Sequence, residues 1–290
     1  MNNYGLSLDY KEQKEWSKPQ MWLEMAIGAI AGGLFITSLI FKFSLGAIIA
    51  VLLMLLGKGL LLLSDLGRPE RMLNIFSRPK DSWISKGAWG LILFGVTSAV
   101  SVAPLVLPGL SWLPWGGGGK ILGIIAGVLA AFMMTYDAYF LSESKGVEFW
   151  NNGGLPMVFL TSAAVGGIGA FMVLAPFSGL AVGTGTLAFI NTAILAATGI
   201  SLYSYLRSAA SGSEGSQVSM QLLMKGRISP VFKTGVVGAG IVVPLCVSIA
   251  AALFGWMPSM AWQIIGILEI VGVVFLRYSI LNAGVYSPQA

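Results

Sequence analysis

Five ionisable side chains stand inside stretches that are otherwise apolar: Glu24, Lys58, Asp137, Glu269 and Arg277. A charge that faces lipid is costly, so each must face a bundle interior, a partner or water. Their depths are informative. Glu24 is one turn into the first apolar run. Lys58 is near the end of the second, with Asp65 just beyond it, and Tyr136 and Asp137 are near the end of the fourth. Alternate runs cross in opposite directions, so all these groups reach the same membrane surface. Carboxylates, a phenol and cations gathered at one rim suit a lipid-soluble molecule that exchanges protons. A quinol needs a hydrogen-bond partner for each ring oxygen and a carboxylate to relay its protons. The plainer alternative is interfacial snorkelling with structural ion pairs such as Glu24–Lys58. That alternative is the better reading of Lys58 alone, whereas Glu24 and Asp137 read as functional acids. Glu269 and Arg277 lie on the last run, two turns apart and about 80° offset around the helix. Pairing with other helices and lining a proton path both stay open for them. The proton-transfer candidates are therefore Glu24, Asp65, Asp137, Glu269 and Arg277.

The runs that must position these groups follow from composition. The chain has 290 residues, 56% of them hydrophobic and only 10% charged, with mean hydropathy +0.82. A soluble domain carries about 25% charged residues. The sequence reads as an all-α polytopic membrane protein. Apolar runs cover 22–41, 45–63, 87–107, 121–141, 155–175, 187–206, 235–254 and 260–281. Each approaches the ~20 residues that a spanning helix needs. The expected division is a polar leader over 1–20, a first four-helix bundle over 21–141, a connecting loop over 142–154 and a second four-helix bundle over 155–290. The leader reads as a segment that is not cleaved, and 9–18, with its mixed Lys and Glu, as a short surface helix. Residues 208–233 read as a polar Gly/Ser-rich loop.

Eight spans put both termini on one side. The basic residues crowd that side, and the other holds Lys42 and Lys120 alone. The positive-inside rule places the termini in the cytoplasm of a cell-membrane protein. The basic residues are confined to a few loops, which speaks against nucleic acid as a partner and for membrane lipid around the spans. There is one cysteine, Cys246, and no histidine. An internal disulfide framework, a Cys-ligated cluster, bis-His haem and the usual zinc sites are excluded, so no haem and no metal are expected in this chain.

One charged, turn-rich stretch separates the second and third runs: SDLGRPERMLNIFSRPKDSWISKGAW, from Ser64 to Trp89. Such a loop between spans either docks a partner or simply sets topology. As a docking surface it would offer Arg68, Arg71, Arg78, Lys80 and Trp83. Its Asp-Leu-Gly-Arg-Pro motif, followed by SWISKGAWG, resembles the signature of the NrfD/PsrC family, the polysulfide-reductase-type membrane anchors. Gly32–Gly33 in the first run agrees. So do YDAYFLSESKGVEFWNNGGLPMVFLTS from Tyr136 and LRYSILNAG around Arg277.

The resemblance implies eight helices in two four-helix bundles and a haem-free subunit that reacts with menaquinone or another quinone. Its expected partners are a ferredoxin-like 4Fe-4S subunit and a molybdenum or tungsten pterin catalytic subunit. In such an oxidoreductase complex the terminal substrate is handled elsewhere, and electrons tunnel between quinol and the partner's clusters. Carried over by position, the quinone-binding residues are Tyr136 as a hydrogen-bond partner, Asp65 and Arg68 at the pocket mouth, and Glu24 where some relatives have histidine. Asp137 stands where the family often has a small residue. Two other classes compete. One is a proton- or ion-translocating transporter, suggested by Glu269, Arg277 and the Gly-rich spans. The other is a structural anchor without quinone chemistry.

Overall fold

The computed structural model describes residues 10–64, 69–80, 82–110, 119–180 and 182–287. Helix α1 (Pro19–Phe41) opens on proline, whose missing N–H has no intrahelical partner at that position anyway. It stops at Lys42, which takes a left-handed conformation (φ 53°) and donates its N–H to Ser38 O. The turn is so short that α2 (Ser44–Ser64) begins at once. Then follow a 3-10 segment (Pro69–Ser77), α3 (Trp83–Val106), α4 (Gly119–Ser142), α5 (Leu155–Leu174) and α6 (Thr184–Ala210). A surface helix α7 (Glu214–Met224) precedes α8 (Val231–Phe254) and α9 (Ser259–Ala283). All of these helices except α7 are long and apolar enough to cross a membrane, which makes eight spans among the described residues.

Chain order divides the helices into two sets, α1–α4 and α5–α9, which are in broad contact with each other. In the first, α1 packs on α2 and α4, and α3 on α4 and α2; in the second, α5 packs on α6 and α9, and α8 on α6 and α9. The sets join where α1 lies along α5. The crossing is tightest at Gly33 and Gly167. A Cβ on Gly33 would run into the Ala163 carbonyl oxygen and stand 2.9 Å from Gly167 Cα. Small residues are what let two backbones approach this closely in lipid.

Two loop expectations are corrected. Residues 11–12 form not a helix but a strand, β1 (Lys11–Glu12), paired antiparallel with β2 (Val285–Tyr286). Isolated short helices are marginal, and the extended form gives the backbone beyond α9 its hydrogen-bond partners. Gln13, fully buried, adds a bond from Nε2 to Leu281 O at 2.5 Å. The hydroxyls of Tyr10 and Tyr286 bond Glu214 and Glu15. Partial burial first, and the facing carboxylates after it, push both phenols above their ordinary value. Inside the Gly/Ser-rich loop, α7 forms because Val218 and Leu222, four residues apart, pack against Val285.

Replacing Gly33 by Val is expected to lower stability by ~3 kcal/mol or more, because neither backbone can retreat. Gly185→Ala, at an exposed helical position with open space around it, is the control. It is expected to be neutral or to stabilise by about 0.5 kcal/mol. Thermal unfolding in detergent measures both, and equal midpoints for the two variants would refute the crossing as a constraint.

Candidate functional site

Lys58 is fully buried, and it lies at the end of the π-helical segment Leu53–Lys58 in α2. A π turn is rare and concentrates at functional sites, because it re-aims the side chains around it. The lysine stem crosses Gly28 of α1, where a Cβ would fall 2.5 Å from Lys58 Cδ. Its Nζ donates to Asp137 Oδ1 of α4 at 2.8 Å and to Glu24 Oε2 of α1. Both carboxylates are themselves buried, 2% and 5% exposed. One ammonium therefore ties three helices together through two anions. The snorkelling reading of Lys58 is overturned, because this side chain runs inward. The Glu24–Lys58 pair is present, and Asp137 is its second anion.

Tyr136 adjoins the triad. Lys58 Nζ is 5.7 Å from its ring centroid. Phe132 and Phe140, one turn to either side on α4, flank the ring at 6.1 Å each. From α3, Gly87 makes room: a Cβ there would overlap the ring and lie 2.6 Å from the hydroxyl oxygen. The residue is 7% exposed, and no described residue hydrogen-bonds its hydroxyl. The structure thus brings Glu24, Lys58, Tyr136 and Asp137 to one place.

Asp65 and Arg68, and the side chain of Arg71, lie outside the described residues. Arg78 and Lys80 are exposed. Trp83 is half-buried and stacks flat on Tyr139, with centroids 4.8 Å apart, and Lys86 Nζ stands 4.3 Å from its ring. Ser85 Oγ bonds Ile75 O, and Trp89 Nε1 bonds Phe76 O at 3.2 Å, so the 3-10 segment is held against α3.

Glu269 and Arg277 belong to the second set of helices and do not pair with each other. Arg277 is buried over the Phe159 ring at 3.6 Å, with Nη1 donating to Ser162 Oγ at 3.1 Å and Nη2 to Phe159 O at 3.2 Å. Glu269 Oε1 accepts from Asn191 Nδ2 at 2.8 Å. Sequence reasoning missed Asn191 and Gly87, whereas Gly28 was expected on a closely packed face of the first span. Asn191 had a signal, an amide alone about two turns into an apolar span. Gly87 had none, since which glycine faces a side chain depends on helix rotation.

A family profile described as Polysulphide reductase, NrfD matches residues 27–288. This chain belongs to the NrfD family. NrfD proteins are membrane subunits of polysulphide-reductase-type oxidoreductase complexes. A search of curated proteins finds no match. Of this chain's buried triad, Lys58 and Asp137 fall inside the matched span, as does Tyr136, whereas Glu24 precedes it.

Lys58→Met leaves two buried carboxylates without their shared cation. The expected loss is about 3–5 kcal/mol, as for other broken buried pairs. Adding Glu24→Gln and Asp137→Asn is expected to restore most of it, because the penalty lies in the two anions that lose their shared cation. Thermal unfolding of the single and triple variants checks this. A triple variant no more stable than Lys58→Met would show that the triad is not the coupled unit.

Proposed function

We propose that this chain is the quinone-reactive membrane subunit of its complex and that the chemistry takes place beside Tyr136. The observation that carries the reading is a phenol hydroxyl without a described partner, next to two buried acids that share one lysine. The hydroxyl can donate to a quinone carbonyl or accept from a quinol hydroxyl, and the acids can take the protons that follow. Oxidation of one quinol releases two electrons and two protons. The electrons pass to an iron–sulfur cluster of a ferredoxin-like partner, itself joined to a molybdenum or tungsten pterin subunit. The protons leave one at a time through Glu24 or Asp137, the first moving on before the second arrives. Reduction of the quinone runs the same steps backwards.

The shared lysine makes this exchange feasible in a buried place. Either carboxylate can let go of Lys58 and take a proton while the other holds the ammonium, so no stage leaves a bare charge in the bundle. Gly87 acts as a positioning residue, since any side chain there would displace the phenol. The partner docks on the same end, on the surface that presents Arg78, Lys80 and the aromatic pair Trp83–Tyr139. That end, with both termini, is the cytoplasmic one.

Tyr136→Phe removes the hydroxyl and keeps the ring. It is expected to lower quinol-dependent turnover about tenfold or more, with the variant's thermal midpoint near that of the parent. Glu24→Gln is expected to slow turnover and shift its pH profile. Turnover by the intact complex with a soluble quinol measures both, and unchanged rates in both variants would remove the assignment.

A further inference from the structure

The carboxyl group of Glu269 is fully buried in the second set of helices, away from the triad. Asn191 Nδ2 donates to its Oε1, and the same nitrogen donates to Ser248 Oγ at 2.9 Å. Oε2 has no hydrogen-bond partner among the described residues. It lies against α5 at Gly169, where a Cβ would be 3.1 Å from it. Among the described residues no cationic side chain forms an ion pair with this carboxyl.

Among the described residues, no titratable side chain of the surrounding helices, Tyr205 and Cys246 included, hydrogen-bonds or ion-pairs with it. The polar side chains nearest it from α5, α6 and α8 are Ser162, Asn191, Thr198 and Ser248. On its own helix, Arg277 is engaged two turns away. The carboxylates that α1 and α7 carry, Glu24 and Glu214, are engaged by Lys58 and Tyr10. Arg207 of α6 and Lys233 of α8 are exposed.

Glu269 lines a narrow crevice together with Ser162, Thr198, Gly240 and Gly272. The crevice has room for on the order of one water molecule. A bare carboxylate buried in an apolar interior is costly, and two remedies exist: a bound cation or a bound proton. A hard cation takes roughly six oxygen ligands. The crevice adds only two hydroxyls, those of Ser162 and Thr198, and otherwise has apolar walls.

We propose that Glu269 is a proton-exchange site of the second helix set. It holds a proton as the carboxylic acid, gives it to water in the crevice to leave the carboxylate and hydronium, and regains it by the reverse step. Asn191 bonds the carboxylate while the proton is away. Ser162 borders the same crevice and accepts from Arg277. The proposal does not depend on the quinone reading.

Infrared difference spectroscopy of the purified protein in sodium-free lipid vesicles, titrated with acid and base, tests it. The expected result is a carbonyl stretch of a protonated carboxyl that moves in deuterium oxide. It is absent from Glu269→Gln, shifted in Asn191→Ala, and retained in Tyr136→Phe. A spectrum without such a band at any pH would overturn the proposal, as would a band unchanged in Glu269→Gln. A band abolished by sodium at constant pH would show a cation site instead and would overturn it too. A second measurement needs no variant. Dicyclohexylcarbodiimide attacks protonated carboxyls in apolar surroundings, so wild-type protein is expected to carry the adduct on Glu269, mapped by mass spectrometry. No adduct on that residue would count against the proposal.

Discussion

A single lysine between two acids, inside an apolar bundle, is the constraint around which the first half of this protein is built. Lys58 can be buried only because Glu24 and Asp137 meet it, and its ammonium in turn offsets the burial of both acids. The three residues arrive on three helices, so the arrangement also sets how α1, α2 and α4 sit against one another. Removing both acids and the lysine for apolar groups would stabilise as well or better on general grounds. That such a costly cluster stands next to a phenol with no described hydrogen-bond partner is the reason for reading it as functional rather than structural.

The remaining architecture serves that cluster by bringing backbones close. Gly28 gives the lysine its path, Gly87 gives the phenol its place, and Gly33 against Gly167 joins the two helix sets. At the membrane surface the β1–β2 ladder and Gln13 tie the start of the chain to the end of α9. Trp16, beside that ladder, packs on Phe140 of α4 and on Trp150. Phe140 stacks in turn on Tyr136. The strap is therefore two aromatic contacts from the candidate site, and distortion at the termini can be felt by the phenol.

Much of this was legible in the residues themselves. The spans were plain because lipid demands long apolar runs, and their ends were misplaced by only a few residues, as at Trp83 and Val231. Glu24, Tyr136 and Asp137 could be brought to one rim by counting depth along alternating spans. The burial of Lys58 could not. Lysine ordinarily extends towards water from such a depth, and the π-helical turn that re-aims α2 leaves no mark in an unbroken run of leucine, methionine and glycine. The strand pairing of residues 11–12 was hidden for another reason: a two-residue ladder has no period, and its partner is more than 270 positions away in the chain. Asn191 was overlooked because an amide carries no charge, yet in an apolar span it is as informative as a carboxylate.

Photoaffinity mapping with an azido-quinone, on the intact complex in its own membrane, addresses the central claim most directly. If proton-coupled quinone chemistry occurs beside the Lys58 triad, adducts will fall on the 132–140 stretch of α4 and on the first turns of α1, and excess native quinol will suppress them. Adducts confined to α5–α9, or scattered over lipid-facing surfaces and indifferent to competing quinol, would contradict the account.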